Sequence, residues 1–102
     1  MASPGDVEVA HDAGARRFVA RAGGERGEIV GYIAYEPGDD GALDLLHTVV
    51  VPEHRGEGIG ERLVRDAIAH ARESGARVIP SCPFVGAYLD ENPGDCDVVA
   101  DR

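Results

Sequence analysis

The run Arg55-Gly56-Glu57-Gly58-Ile59-Gly60 sets three glycines at alternate positions beside an arginine. A turn so poor in side chains lets backbone N–H groups approach a ligand closely. A helical pattern starts at its end, so unpaired N–H groups and the positive end of a helix dipole face the same place. Phosphate binds to that combination. The guanidinium of Arg55 adds a fork of donors suited to phosphate oxygens. Two other phosphate loops are excluded. A Walker loop needs a lysine after its glycines, and all 10 Lys and Arg residues of this chain are arginine. The dinucleotide pattern G-x-G-x-x-G fails because position 61 is Glu61. What remains is a phosphate loop of pattern R-x-x-G-x-G, or a glycine-rich helix start with no ligand.

Other residue types here can do chemistry. Cys82 stands between a short apolar run and a helix opened by Pro83. A helix N-terminus lowers a thiol pKa and favours a nucleophilic thiolate. Free cysteine is also among the most buried residue types, so Cys82 reads equally as a small core residue. His47 lies in a strand pattern, on a face read as shared with Leu43, Leu45, Val49 and Val51. Its imidazole titrates in the range useful to a base; the alternative is a packed, hydrogen-bonded strand histidine. Asp44 and Glu53 read as solvated or structural carboxylates able to pass a proton through water, and His54 as an exposed loop residue. Cys96 has no chemical context.

The elements that must position these residues follow from pattern. Val7 and Val9 alternate with acids, as a frayed first strand or a tail. Arg16 to Ala22 reads as a strand and Gly23 to Gly27 as a turn. Glu28 to Glu36 is apolar on both faces, as in a central strand. A turn over Pro37 to Gly41 joins it to a strand over Ala42 to Val51. From Gly58 to Ser74, Ile59, Leu63, Val64, Ala67, Ile68 and Ala71 recur at helical spacing, and Gly75 sits where a C-cap glycine belongs. Arg77 to Ser81 is a short strand. As a right-handed crossover, strand–helix–strand predicts that Ala42–Val51 and Arg77–Ser81 lie parallel. Pro83 opens a second helix, to about Glu91. Asn92-Pro93-Gly94 stops it. Val98-Val99 reads as a final strand or a docked end. The order is β-β-β-α-β-α, an α/β mixed sheet flanked by two helices, in one domain over residues 1–102 with 1–15 and 95–102 as frayed ends.

Composition bounds the function. The 102 residues suffice for one small core. Hydrophobic residues at 43% and charged residues at 28% are ordinary for a globular chain. A net charge of -9 argues against sequence-independent nucleic-acid binding, which depends on basic side chains, and suits cationic amines. The 2 cysteines form no C-x-x-C pair, so no metal is expected. With no signal peptide and no long apolar run, the reading is free thiols in a reducing cytoplasm and no membrane partner.

Arg55, Gly58 and Gly60, after a strand ending in Val-Pro-Glu, resemble the pyrophosphate loop of the GCN5-related N-acetyltransferases, which bind acetyl-coenzyme A. Leu46-His47-Thr48-Val49-Val50 before the loop and Pro80-Ser81-Cys82-Pro83-Phe84-Val85-x-x-Tyr88 after it resemble the minimal NATD1-like or YjdJ-like group of that superfamily. The resemblance spans Glu28 to Pro93 and implies the minimal acetyltransferase fold with acetyl-coenzyme A as co-substrate. It implies that backbone groups of Thr48 to Val50 pair with the pantetheine arm, and that the loop from Arg55 to Gly60, with Glu57 and Ile59 in it, holds the pyrophosphate. The thioester would then lie near Val49, Cys82 and the start of the last helix. Tyr88 matches the superfamily tyrosine that approaches the coenzyme sulfur, where its phenol would protonate the leaving thiolate; ordinary helix packing is the alternative.

Larger members carry two helices between their first and second strands. Here only Gly23 to Gly27 stands there, so the acceptor side should be open, or closed by another subunit or a macromolecular substrate. The expected activity is N-acetyl transfer to a small or exposed amine by direct attack, with His47 or a water as base. A covalent route through Cys82 is the competing mechanism. A non-catalytic acyl-coenzyme A-binding module is the competing function.

Overall fold

In this computed structural model residues 7–23 and 27–100 are described. Five strands form one sheet in the order β1-β2-β3-β4-β5: β1 Val7–Asp12, β2 Arg17–Ala22, β3 Glu28–Pro37, β4 Leu43–Val50 and β5 Val78–Ile79. Neighbours from β1 to β4 are antiparallel, and β5 is parallel to β4. Helix α1, Ile59–Ser74, connects β4 to β5, and α2, Pro83–Glu91, follows β5. The mixed α/β sheet and the parallel β4–β5 pair are as expected from the sequence.

Within the described residues, Val7–Asp12 and Pro93–Val98 form regular structure. Val7–Asp12 is a full edge strand, with Val7 buried against α1. Residues 1–6 and most of the expected turn at 23–27 lie outside the described residues. At the other end, Pro93–Val98 winds into a 3₁₀ turn that buries Val98. Val99 then bridges to Val78, and the Ala100 N–H donates to Val78 O at 2.9 Å. The short β5 is thereby covered by the chain end.

The helical stripe on α1 is buried as its spacing requires: Ile59, Leu63, Val64, Ala67, Ile68 and Ala71 all pack inward. They meet Phe18, Ile33 and Leu45 of the sheet in one continuous core. Each such side chain contributes about 1.5–3 kcal/mol through loss of apolar surface to water. Gly75 ends α1 in the left-handed region, φ 72°, and Ala76 N–H closes the turn onto Ala71 O at 2.8 Å. Gly31 on β3 is what lets the start of α1 come close. A Cβ there would stand 2.9 Å from Val49 O and 3.3 Å from Ile59 Cγ2.

A β-bulge in β4 decides which side chains reach the site. Ala34 pairs with His47 but Tyr35 pairs with Leu45, so Leu46 is the extra residue. Strand side chains alternate between faces, and one inserted residue resets that alternation. Leu45, Thr48 and Val50 therefore share the face toward α1. His47 and Val49 share the opposite face with Ala34 and Tyr32, their partners on β3. The expected grouping of His47 with Leu43 and Leu45 is corrected by this bulge.

Candidate active site

The glycine loop is built by backbone conformation. After a 3₁₀ turn at Pro52–His54, Gly56 and Gly58 take φ of 86° and 81°, a left-handed geometry that glycine adopts without steric penalty. Gly58 then caps α1. Its carbonyl accepts from the Arg62 N–H at 3.0 Å, which is the first intrahelical bond. The N–H groups of Ile59, Gly60 and Glu61 therefore have no partner within the helix. They open onto a cavity of about 590 Å³ lined on this side by Arg55, Gly56, Gly58, Ile59, Gly60 and Glu61. Glu57 does not line it. Its Oε1 lies 2.9 Å from Nδ1 of the half-buried His54, which does line the cavity, so this pair braces the loop at the cavity rim. The expectation of His54 as an exposed loop residue is corrected accordingly.

The other wall is the edge of β4. β5 pairs with β4 only at Leu43 and Asp44. Beyond that the Cys82 N–H reaches Leu45 O at 2.8 Å, and the two chains diverge. The Val51 N–H is bonded inward to Val30 O at 2.9 Å, and Val49 O also faces β3, beside Gly31. Backbone direction alternates along a strand. The backbone groups of Thr48 and Val50 thus face the gap, while those of Val49 belong to the sheet. Thr48, Val49 and Val50 all line the cavity, Val49 through a side chain 40% exposed.

Cys82 sits at the apex of the gap, 4% exposed, as the residue before α2. Its Sγ is 3.5 Å from Thr48 Oγ1 on the facing strand. Burial pushes the Cys82 thiol pKa up. Hydrogen bonds from the Thr48 hydroxyl and from the Val85, Phe84 and Thr48 amides outweigh it, and the net direction is down. Cys82 is thus buried, as one sequence reading had it, with its pKa lowered, as the other did.

Tyr88 is also buried, at 8% exposure, but its hydroxyl donates to Asp95 Oδ2 at 3.2 Å in the C-terminal turn. Asp95 in turn is 3.5 Å from Arg72 on α1. Tyr88 is thus tied to the chain end and does not line the glycine-loop cavity. His47 is exposed, on the face of β4 away from α1. Its neighbours there include Tyr32, whose ring lies 5.6 Å beneath the Arg17 guanidinium.

Three lining residues escaped sequence reasoning as site residues: His54, Glu61 and Phe84. Phe84, on the first turn of α2, is 37% exposed and lines the cavity. Its ring lies so close to the first turn of α1 that a Cβ on Gly60 would come within 2.8 Å of Phe84 Cζ. For Phe84 the sequence signal was an aromatic at a helix start, inside the Cys-Pro-aromatic run that carries the family resemblance.

The family described as GCN5-related N-acetyl-transferase matches residues 17–98. The protein NATD1 of Mus musculus is 32% identical over 89 residues, 87% of this chain and 79% of that one. A solution structure of a GCN5-like protein from Staphylococcus aureus superposes with a TM-score of 0.70 at 25% identity, covering 95% of this chain and 91% of that one. A GNAT family acetyltransferase of Brucella melitensis, solved in complex with acetyl-CoA, gives a TM-score of 0.56 at 29% identity, over 74% of this chain and 54% of the other.

Proposed function

Since the chain belongs to the GCN5-related N-acetyltransferase family, on its NATD1-like branch, we propose that it transfers an acetyl group from acetyl-coenzyme A to an amine, by direct attack with both substrates bound. The carrying observation is one cavity faced by the unpaired N–H groups of α1 and by the unpaired edge of β4. These residues fit the coenzyme: two left-handed glycines free the loop amides, and Arg55 stands beside them.

Bound acetyl-coenzyme A would supply an activated thioester. Ile59, Gly60 and Glu61 N–H groups with Arg55 hold the pyrophosphate. Thr48 and Val50 pair with the amides of the pantetheine arm, and an outward-facing amide of β4 meets the thioester oxygen as negative charge develops. The acceptor enters from the face of β4 that carries His47. His47, or a water held by it, takes the proton from the amine, whose ordinary pKa near ~10.4 keeps it charged at neutral pH. The open face and the net charge of -9 favour a small cationic amine or an exposed protein amine. Cys82 shapes the apex of the gap.

A specific observation favours the second reading, a non-catalytic acyl-coenzyme A-binding module. The proton donor expected for the thiolate, Tyr88, is held by Asp95. A screen of amines, polyamines and peptides with acetyl-coenzyme A, followed by free thiol release, separates the two. Turnover with any acceptor supports transfer; tight coenzyme binding without turnover supports the module. Intact mass measured without acceptor tests the route. An acetyl adduct on Cys82 that forms and then disappears with amine at the turnover rate overturns direct attack, whereas Cys82→Ala retaining most activity supports it.

A further inference from the structure

Resting on coenzyme A binding in this groove, we propose that Phe84 is a binding residue that selects the pantetheine arm over the nucleotide. Val49 and Phe84 are the exposed large hydrophobic side chains among the described residues, and both line the same cavity. An exposed aromatic ring costs free energy in water unless something covers it. Here it is fixed in position. Phe84 follows Pro83 in the first turn of α2, and its ring packs on the first turn of α1 where Gly60 has no side chain.

The chemistry of the ligand meets that position. In coenzyme A the pyrophosphate is followed, one methylene on, by a carbon bearing two methyl groups. These are the most apolar part of the arm near the phosphates. With the phosphates on the N–H groups of Ile59, Gly60 and Glu61, a chain running toward Thr48 and Cys82 passes the flank of Gly60. Phe84 is the apolar surface at that flank. The ring offers nothing to the adenosine or its phosphates, which end at the loop. A ligand with the same phosphates but no arm gains from Arg55 and the loop amides and gains nothing from Phe84.

The test compares coenzyme A with adenosine 3′-phosphate 5′-diphosphate, which keeps the phosphates and lacks the arm. Titration calorimetry is run on the wild-type chain, Phe84→Ala and Phe84→Leu, with circular dichroism confirming that each variant is folded. At 37% exposure the truncation leaves the core in place. Phe84→Ala should weaken coenzyme A about tenfold, the scale of one partly buried ring contact, and leave the truncated nucleotide unchanged; Phe84→Leu should fall between. Equal losses for both ligands, no loss for either, or tighter binding of coenzyme A would each overturn the proposal. In those cases the wild type still binds, and the functional reading stands. A wild-type chain that binds neither ligand overturns both.

Discussion

Gly58 carries two roles that a substitution separates. Its φ of 81° is left-handed, and its lack of a Cβ leaves open space rather than relieving a clash. The constraint is therefore conformational. Gly58→Val places a β-branched residue where L-residues cost about 1–2 kcal/mol. We expect a stability loss of at least that size in urea denaturation, together with loss of coenzyme A binding. Gly58→Asn, a residue that tolerates this region, should keep most of the stability. Equal destabilisation by Asn and Val would show that space, not φ, is limiting. At this scale the loop residues were legible because glycine spacing and a following helix are adjacent in the chain. Tyr88 was legible only as a buried helical phenol. Its partner Asp95 lies seven residues on, across a helix stop, and no pattern connects them.

The bulge in β4 determines what the site is made from. Without it, His47 would turn toward α1 with Leu45, and Thr48 would turn away from Cys82. With it, Thr48 meets Cys82 and His47 faces the solvent. Helix α1 depends on the same strand pair through Gly31. Gly31→Ala would set a Cβ 2.9 Å from Val49 O and 3.4 Å from Leu63 Cδ1. The strand cannot yield as a flexible side chain would, so the expected cost is about 1–3 kcal/mol of overpacking. Coenzyme A affinity should fall as well, because the first turn of α1 moves with the strand. Urea denaturation and titration calorimetry on the same variant check both, and unchanged affinity in a destabilised variant would uncouple α1 from the sheet. The element types were readable from periodicity. The bulge was not, because hydrophobic alternation through Leu45-Leu46-His47-Thr48 permits either register.

Across the whole molecule, β1 and the C-terminal turn brace α1 from two sides. The C-terminal turn is held by Arg72, 2.6 Å from Asp97 Oδ1, and by Arg77 donating to Asp97 O at 2.6 Å. On β1, His11 stacks on Phe18, meets His70 of α1 edge-on, and bonds to the Tyr35 hydroxyl at 2.5 Å. Burial pushes the His11 pKa below its ordinary 6.5, and the His70 charge adds to this, while Asp12 opposes it. The unfolded chain then binds the proton more readily than the folded one. Stability rises with pH through this window: it is complete above about 6.5 and lost as pH falls through the folded value. Denaturation midpoints should drop between pH 7 and pH 5, and His11→Gln should flatten that slope. An unchanged slope in the variant would assign the effect elsewhere. No described helix is long and apolar enough to cross a membrane.

The sequence by itself determined whatever depends on neighbours in the chain: the stripe of α1, its cap at Gly75, the loop from Arg55 to Gly60, and the parallel return of β5. Hydrophobic period, glycine conformation and helix-end chemistry act over a few residues, so their signals survive in one dimension. Tertiary structure alone decided which side chains face the gap. Thr48 and Cys82 stand 34 positions apart and meet only because β4 bulges and β5 ends early. Phe84 reaches Gly60 only because α2 folds back on α1. Those contacts depend on strand register and on packing between distant elements. Several registers satisfy the same hydrophobic pattern, and only the packed core selects one of them.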